Sequence, residues 1–321
     1  MILILTQCFP SRLGGIESLV SNLALELGKS NQVVVFADSH DAVNDAIFDN
    51  QSKNKIVIKR TSGIKFLRRR KKFKEVKNFI ESNEIKIVLA DTWKSLELNI
   101  DYLNNKNLPV ICLAHGNELL FNNKSKSLRI KKTFDKVSSV VANSIFTKNL
   151  VKKIINSQIN VTTIYPGGVD LNNLDKSENL GITGDPIILT LARLEKRKGH
   201  IEIINIVEKL TRDFPDIKYL IAGIGPELKN LKKAVRKKNL DDNVLFLGNI
   251  NDYQKKYIFQ KTQLMVMPTL DQSHQRSIEG FGIVYIEAAF FSVPSIASNI
   301  GGTPEAVINN STGKIIDNID E

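Results

Sequence analysis

Short apolar runs alternate with longer amphipathic stretches along the whole chain. In the first half, aliphatic runs predict strands at 2–5, 33–37, 56–59, 85–90, 110–114, 137–142 and 162–165. In the second half, similar runs predict strands at 187–192, 218–222, 244–247, 264–267 and 295–297. Apolar residues at helical spacing predict helices at 15–27, 65–80, 200–212, 227–238, 253–261 and from Gly282 onward. This alternation favours an α/β fold in which helices cover parallel sheets.

A break in the alternation divides the chain into two halves. The segment Pro-Gly-Gly-Val-Asp at 166–170 and the polar stretch that ends in Gly-Asp-Pro at 184–186 separate them. We therefore predict an N-terminal domain at 1–168, a linker at 169–185 and a C-terminal domain at 186–321. Two Rossmann-like domains joined in this way leave a cleft between their parallel sheets, and ligands are expected beyond the carboxyl ends of the strands.

Composition places the chain among soluble globular proteins, because 42% of its residues are hydrophobic and 25% are charged. No apolar run approaches the ~20 residues of a membrane-spanning helix. The opening Met-Ile-Leu-Ile-Leu lacks a basic segment and a cleavage site, so it is interpreted as a first strand and not as a signal peptide. Cys8 and Cys112 are expected to be buried thiols of a cytoplasmic protein.

A formal charge of +11 needs an explanation, and much of it lies between Lys65 and Lys77. The helix predicted there carries one apolar stripe, with cations around the rest; the stripe consists of Phe66, Phe73, Val76 and Ile80. Such a helix can lie on an anionic membrane surface, or it can pack its stripe on a sheet and leave its charges in water. Nucleic acid is not expected as a partner, since no recognised binding motif accompanies the charge.

The most informative segment is Arg-Ser-Ile-Glu-Gly-Phe-Gly-Ile-Val-Tyr-Ile-Glu at 276–287. Gly280 and Gly282 permit positive φ angles, and a helix that begins after them aims its free N–H groups at the loop, which suits a phosphate. Glu279 and Glu287 would repel a phosphate, but they suit the hydroxyl groups of a sugar or ribose. The alternative is an N-capping loop before a core helix, with Glu287 solvated.

Two loops of the first half are candidates for the same ligand. Gly14 and Gly15 open a helix after the first strand, which is a weak phosphate-loop signal and equally typical of a tight turn. His115 follows a predicted strand in Ala-His-Gly-Asn-Glu, and could hold a sugar hydroxyl or stabilise positive charge on an anomeric carbon. A lone histidine before glycine is more often structural.

Two further loops lie in the second half. Arg193 follows a strand and Lys198 precedes a helix, so both could reach one diphosphate, the first by paired hydrogen bonds and the second as a point charge. The alternative is an ordinary basic loop. Gly223 and Gly225, in Gly-Ile-Gly-Pro-Glu, close the next strand before a helix.

The run Glu-Gly-Phe-Gly-Ile-Val-Tyr-Ile-Glu-Ala, with Pro294 and Gly-Gly-Thr-Pro-Glu at 301–305, resembles the donor-binding signature of family 4 retaining glycosyltransferases with the GT-B fold. The resemblance implies that Glu279 and His115 act on the donor sugar, Glu287 on the ribose, and Arg193 and Lys198 on the diphosphate. It also assigns a donor-binding role to a set of small and aromatic residues, namely Gly14, Gly15, Gly223, Gly225, Gly280, Phe281 and Gly282.

Among the branches of this family, the segments at 276–287 and His-Gly-Asn-Glu at 115–118 look similar to those of mannosyltransferases that use GDP-mannose and act on phosphatidylinositol mannosides. The expected activity is retaining transfer of a hexose, of mannose or glucose type, to a lipid-linked or surface glycan, at the cytoplasmic face of the membrane or in the cytoplasm. No cofactor or metal is expected, because the chain contains no Asp-x-Asp pair and no His/Cys cluster with zinc spacing.

Two other functions remain open. A nucleotide-sugar 2-epimerase of the same fold would convert the donor without an acceptor, although the motif order does not resemble that family. A non-catalytic protein would bind nucleotide sugar and release no product. Members of the resembled family usually continue for another helix or two, so the second domain, which stops at Glu321, is expected to lack the usual final helices.

Overall fold

A computed structural model describes residues 1–121, 123–155 and 158–318. The chain divides into two compact units, Met1–Pro166 and Gly167–Glu321. The stretch 169–185, predicted as a linker, is grouped with the second unit. The last three residues of the predicted domain 186–321 lie outside the described residues.

The first unit is built on a parallel sheet. Its strands are β1 (Ile2–Leu5), β2 (Val33–Asp38), β3 (Val57–Thr61), β4 (Ile87–Ala90), β5 (Val110–Ala114), β6 (Ser139–Ala142) and β7 (Asn160–Thr163). They pair in the order β3-β2-β1-β4-β5-β6-β7, and each neighbouring pair is parallel. Both faces of the sheet are covered, because Leu3 and Leu5 belong to one apolar core and Ile4 to another.

The helices of the first unit are α1 (Gly15–Leu27), α2 (Ala42–Ser52), α3 (Lys65–Glu81), α4 (Trp93–Leu96), α5 (Ile100–Asn105), α6 (Lys124–Phe134) and α7 (Ile145–Lys152). The apolar pattern predicted α1 and α3 but missed the others. The side chains of Asp41, Asn123 and Ser144 accept hydrogen bonds from the first turns of α2, α6 and α7. These capping residues are the signal that the apolar spacing did not contain.

Helix α3 only partly follows its predicted stripe. Val76 and Ile80 are buried and Phe73 is half-buried, but Phe66 is 60% exposed. Lys72 is buried, in contrast to the expectation that the cations lie in water. Its ammonium group donates to the carbonyl oxygen of Thr6 at 2.7 Å and to Asp38 at 2.5 Å. The helix is therefore anchored by an internal ion pair as well as by apolar contacts.

The second unit contains a smaller parallel sheet. Its strands are β8 (Ile187–Leu191), β9 (Lys218–Ala222), β10 (Val244–Gly248), β11 (Leu264–Met267), β12 (Ser295–Ser298) and β13 (Gly313–Ile316). They pair in the order β10-β9-β8-β11-β12-β13. The helices that connect and cover them are α8 (His200–Leu210), α9 (Leu228–Lys237), α10 (Asp252–Lys261) and α11 (Ile283–Phe290). Because the strands are parallel, the loops after β8, β9 and β11 meet at one edge of the sheet.

Both cysteines are free thiols. Cys112 is buried, as expected, whereas Cys8 is half-buried. Burial is the main reason why the pKa of Cys8 rises to about 12. Within the described ranges, no helix is long and apolar enough to cross a membrane.

Candidate functional site

In the loop before α11, a left-handed backbone conformation was predicted for two glycines, and one of them adopts it. Gly282 is the N-cap residue of α11 and has a φ of 101°, a left-handed conformation that favours glycine. A Cβ atom at this position would lie 2.6 Å from the ring of Tyr285. Gly280 does not adopt a left-handed φ. The neighbouring Phe281 is buried in the apolar core of the second unit, and this packing anchors the loop to the core.

Glu279 lies directly before this turn and contacts two cations of the loop after β8. The Nζ atom of Lys198 and the Nη1 atom of Arg197 each lie 2.5 Å from its Oε2 atom. The side chains of these cations are only 9% and 10% exposed, and that of Glu279 is 15% exposed. The sequence placed Glu279 and Lys198 in one site, but it missed Arg197.

Electrostatics keep this cluster ionised despite its burial. Burial alone would raise the pKa of Glu279, but the charges of Lys198 and Arg197 lower it to about 2. Burial lowers the pKa of Lys198, and the charge of Glu279 opposes that effect. The result is a fixed carboxylate and a desolvated ammonium group at the amino end of a helix, which is an environment suited to a ligand with hydroxyl and phosphate groups.

Arg193 behaves differently from Lys198. Its side chain is 59% exposed, and its ion pair is with Glu195, at 3.2 Å. Glu195 also lies 3.2 Å from the Nε atom of Arg197. In this loop Arg193 is therefore exposed, whereas Arg197 and Lys198 are buried. Glu195 forms ion pairs with both arginines.

Gly223 and Gly225 bring the loop after β9 against this basic loop. Gly223 has a φ of 141°, and a Cβ atom there would lie 1.9 Å from the carbonyl oxygen of Ala192. A Cβ atom at Gly225 would lie 2.5 Å from the carbonyl oxygen of Leu194. Glycine is required because the two main chains approach too closely for any side chain.

Glu287 lies one turn inside α11 and is buried. It is not solvated, since its Oε1 atom lies 2.5 Å from the Nζ atom of Lys255 on α10. Gly168 packs against the same residue, because a Cβ atom added to it would lie 3.0 Å from the Cγ atom of Glu287. Lys255 is a second contact residue that sequence reasoning missed.

His115 is buried at the end of β5 in the first unit. Its Nε2 atom lies 2.8 Å from the carbonyl oxygen of Asp91, and its backbone N–H donates to Glu118 at 2.7 Å. A carbonyl oxygen only accepts, so the proton of the neutral ring is on Nε2 and the Nδ1 atom keeps its lone pair. The ring is thus held in one tautomer.

Asp91 also supports the loop after β1. Its Oδ2 atom accepts hydrogen bonds from the Thr6 hydroxyl at 2.8 Å, the Gln7 N–H at 3.0 Å and the Cys8 N–H at 3.2 Å. It lies directly after β4, so the carboxyl ends of three strands share this residue. The sequence analysis did not identify Asp91, although an aspartate directly after an apolar strand is a signal for a polar residue at the carboxyl edge of the sheet.

The two glycines at the start of α1 differ in the space around them. A Cβ atom at Gly14 would lie 2.3 Å from the Oε2 atom of Glu17, whereas one at Gly15 would meet nothing within 4 Å. Glu17 lies 2.9 Å from Arg12, and burial raises its pKa. Gly15 therefore leaves room for a group to approach the main chain.

Neither unit shows a group of three or more His, Cys, Asp or Glu side chains arranged to hold a metal ion, within the residues that the structure describes.

Solved structures share this architecture. The chain is similar to the Anabaena protein HepE in complex with UDP and glucose, with 19% identity, a TM-score of 0.80, and coverage of 100% of this chain and 87% of that one. It is also similar to sucrose-phosphate synthase from Thermosynechococcus elongatus, with 19% identity, a TM-score of 0.80, and coverage of 99% and 86%. Two Rossmann-like units with parallel sheets thus define the GT-B fold, as the sequence predicted.

Family models and curated relatives give the more particular assignment. The model "Glycosyltransferase Family 4" matches residues 13–173, and the model "Glycosyl transferases group 1" matches residues 172–321. The chain belongs to glycosyltransferase family 4. It is an enzyme that transfers sugar from a nucleotide-sugar donor.

Two curated relatives align with nearly the whole chain. The GDP-mannose-dependent alpha-(1-6)-phosphatidylinositol monomannoside mannosyltransferase of Mycolicibacterium smegmatis is 24% identical, with coverage of 99% of this chain and 86% of the relative. The monoacylated alpha-(1-6)-phosphatidylinositol monomannoside mannosyltransferase of Corynebacterium glutamicum, also GDP-mannose-dependent, is 27% identical, with coverage of 99% and 85%.

Proposed function

We propose that this enzyme is a retaining, metal-independent hexosyltransferase that moves mannose from GDP-mannose to a lipid-linked or surface glycan. The observation that carries the proposal is the carboxylate of Glu279, fixed by Lys198 and Arg197 beside the first turn of α11. The GDP-mannose-dependent relatives support the choice of donor and of a lipid-linked acceptor.

The second unit supplies the donor site in this proposal. Lys198 and Arg193 neutralise the diphosphate, together with the free N–H groups of α11. Glu279 accepts hydrogen bonds from hydroxyl groups of the sugar, and Glu287 accepts them from the ribose. The close main-chain packing at Gly223 holds the loop that carries Arg193 in position.

In the first unit, the proposal assigns His115 a role in recognition of a sugar. His115 is held by Asp91 and Glu118, so its position is fixed before any ligand binds. Gly15 leaves room for a ligand group to approach the main chain at the start of α1.

The chemical step needs no dedicated base. The bond between the anomeric carbon and the phosphate oxygen breaks, and the acceptor oxygen bonds to the same face of that carbon. The acceptor proton moves to the departing phosphate oxygen. The charge that develops on the diphosphate is stabilised by Lys198 and Arg193, and we therefore propose that these side chains supply the electrostatic stabilisation that a metal ion supplies in other enzymes.

The start of α3 is the proposed contact with an anionic membrane, from the cytoplasmic side. Phe66 and Leu67 are each 60% exposed, and Ile64 is 76% exposed. Lys65 and Arg70 are exposed beside them, and the Arg70 guanidinium lies 4.1 Å from the centre of the Phe66 ring. Apolar side chains that enter the interface, with cations that meet acidic headgroups, are the two attractions that a peripheral enzyme needs.

A transfer assay tests the proposal. The purified enzyme is incubated with GDP-mannose in EDTA, with and without vesicles that contain phosphatidylinositol monomannoside, and the products are analysed by mass spectrometry and NMR. The proposal predicts a mannosylated lipid with an α-linkage that forms only with acceptor. A β-linked product, a need for divalent metal, or conversion of the donor without acceptor would contradict it.

Site variants connect the activity to the cluster. Glu279→Ala and Lys198→Ala should each lower kcat by orders of magnitude. Glu202→Ala and Lys229→Ala, which remove the same charges on α8 and α9, are the matched controls and should retain activity.

A further inference from the structure

Arg197 is a buried arginine that contacts Glu279 but has no contact with the donor in the proposed reaction. It is 8% exposed, and it lies in a 3-10 turn at 196–198 between exposed Lys196 and buried Lys198. Its Nη1 atom donates a hydrogen bond to Glu279 at 2.5 Å, and its Nε atom lies 3.2 Å from Glu195 in an ion pair that is not a hydrogen bond. The turn that carries it is itself anchored, because the Leu270 N–H donates to the Arg197 carbonyl oxygen at 2.7 Å.

The two cations on Glu279 share one oxygen atom. Both Lys198 and Arg197 contact Oε2, and no described residue forms a hydrogen bond with Oε1 in the structure. A carboxylate held by Lys198 alone would lose its only charged partner whenever that ammonium group turned toward a diphosphate. A buried carboxylate without a partner is strongly unfavourable, so diphosphate binding would be opposed.

We propose that Arg197 is a positioning residue that holds Glu279 ionised and in place, so that Lys198 is free to bind the diphosphate of the donor. This inference rests on the proposed roles of Glu279 and Lys198. Arginine suits the task because its rigid, permanently charged fork can bridge Glu195 and Glu279 at once, whereas a lysine offers a single point charge.

The proposal gives Arg197 a pH signature. The ionisable groups that face Glu279 are Lys198 and Arg197 from the loop after β8 and Tyr285 from α11. The two cations lower the pKa of Glu279 to about 2, so the ionised form persists at mildly acidic pH. Loss of Arg197 removes one of them, so the pKa of Glu279 rises and the ionised form is lost at a higher pH as the solution is acidified.

The test compares Arg197→Gln, Arg197→Lys and the control Arg236→Gln, which removes the same charge from an exposed position on α9. Steady-state kinetics give kcat and the donor KM as a function of pH. Calorimetry gives the Kd of the nucleoside diphosphate and of the nucleotide sugar, and thermal unfolding reports whether each variant is folded.

Arg197→Gln should lower kcat/KM for the donor by about tenfold or more, the effect expected when a charged group loses one hydrogen-bonded partner. Its affinity for the diphosphate should fall, the acid limb of its kcat/KM profile should move to higher pH, and Arg197→Lys should recover part of each loss. Arg236→Gln should match the wild type.

Two results would overturn the inference. One is a folded Arg197→Gln variant with wild-type kinetics, diphosphate affinity and acid limb. The other is an equal loss in the Gln and Lys variants with no change in the acid limb, which a purely structural role would produce. If the wild-type enzyme itself transfers no sugar from any nucleotide sugar, the proposed function fails instead, whatever the Arg197 variants do.

Discussion

Replacement of Glu279 by glutamine removes the central charge of the cluster and nearly preserves its shape. The change leaves Lys198 and Arg197 facing each other, with side chains only 9% and 10% exposed. Solvent screening is weak at such burial, so the repulsion between the two cations, and the loss of the only ion pair that Lys198 forms with a described residue, should destabilise the second unit.

The magnitude follows from two independent considerations. The pKa of Glu279 falls from an ordinary value of 4.5 to about 2. That shift corresponds to about 3 kcal/mol of folding free energy above the ordinary pKa. Removal of one partner from a buried ion pair typically costs about 3–5 kcal/mol. In a unit of this size, 1 kcal/mol shifts Tm by about 2–4 °C, so a loss of about 3–5 kcal/mol should lower the Tm of Glu279→Gln by about 6–20 °C.

The sign of the pH dependence is fixed by the same shift. A carboxyl whose pKa is lowered in the folded state contributes stability above its ordinary pKa of 4.5, and this stability is lost as the pH falls toward 2. The difference in Tm between wild type and Glu279→Gln should therefore be full at neutral pH and shrink on acidification.

Thermal unfolding of the apoenzyme between pH 3 and pH 8 measures this directly, with Glu202→Gln on α8 as the control for loss of a carboxylate. Addition of Lys198→Met to Glu279→Gln should restore part of the lost stability, because it removes one of the two opposed cations. The argument would be refuted if the Tm of Glu279→Gln equalled that of Glu202→Gln at every pH.

Three further predictions concern other parts of the enzyme. Lys198→Ala should lower kcat by about a hundredfold or more in steady-state assays, because the departing diphosphate loses a buried cation; a loss confined to KM would contradict that role. Gly223→Ala should destabilise the enzyme by more than about 2 kcal/mol in urea denaturation, because its Cβ would lie 1.9 Å from the Ala192 carbonyl oxygen, whereas Gly15→Ala has open space and should fold normally. Replacement of Phe66 and Leu67 by serine should weaken co-sedimentation with acidic vesicles while activity on a water-soluble acceptor is retained; unchanged sedimentation would exclude the start of α3 as the membrane contact.

The parallel architecture was predictable because buried parallel strands have a simple composition. All six residues of β2 are buried, and its sequence Val-Val-Val-Phe-Ala-Asp is a continuous apolar run with one polar end. Helices such as α6, Lys-Ser-Lys-Ser-Leu-Arg-Ile-Lys-Lys-Thr-Phe, were missed because few apolar positions mark their buried face. Strand β13 was missed because it is a short edge strand.

The partners within the site were harder to predict than its position. Lys196, Arg197 and Lys198 are consecutive cations, and nothing in their identity shows that the first is exposed and the other two are buried. The direction of each side chain is set by the 3-10 turn and by its anchor to Leu270. The pairing of Glu287 with a residue of α10 likewise depends on how two helices pack, which spacing along the chain does not specify.

The central claim is that the second unit holds a nucleotide sugar through Glu279 and Lys198. Its most direct test is the melting temperature of wild type, Glu279→Ala and Lys198→Ala in GDP, UDP, ADP and their sugar conjugates, with EDTA present, since a ligand that binds only the folded state raises Tm. The account predicts a selective rise in Tm for the wild type with GDP-mannose, a smaller one with GDP, and a loss of the sugar-dependent part in Glu279→Ala. No rise with any nucleotide, or an equal rise in all three proteins, would contradict it.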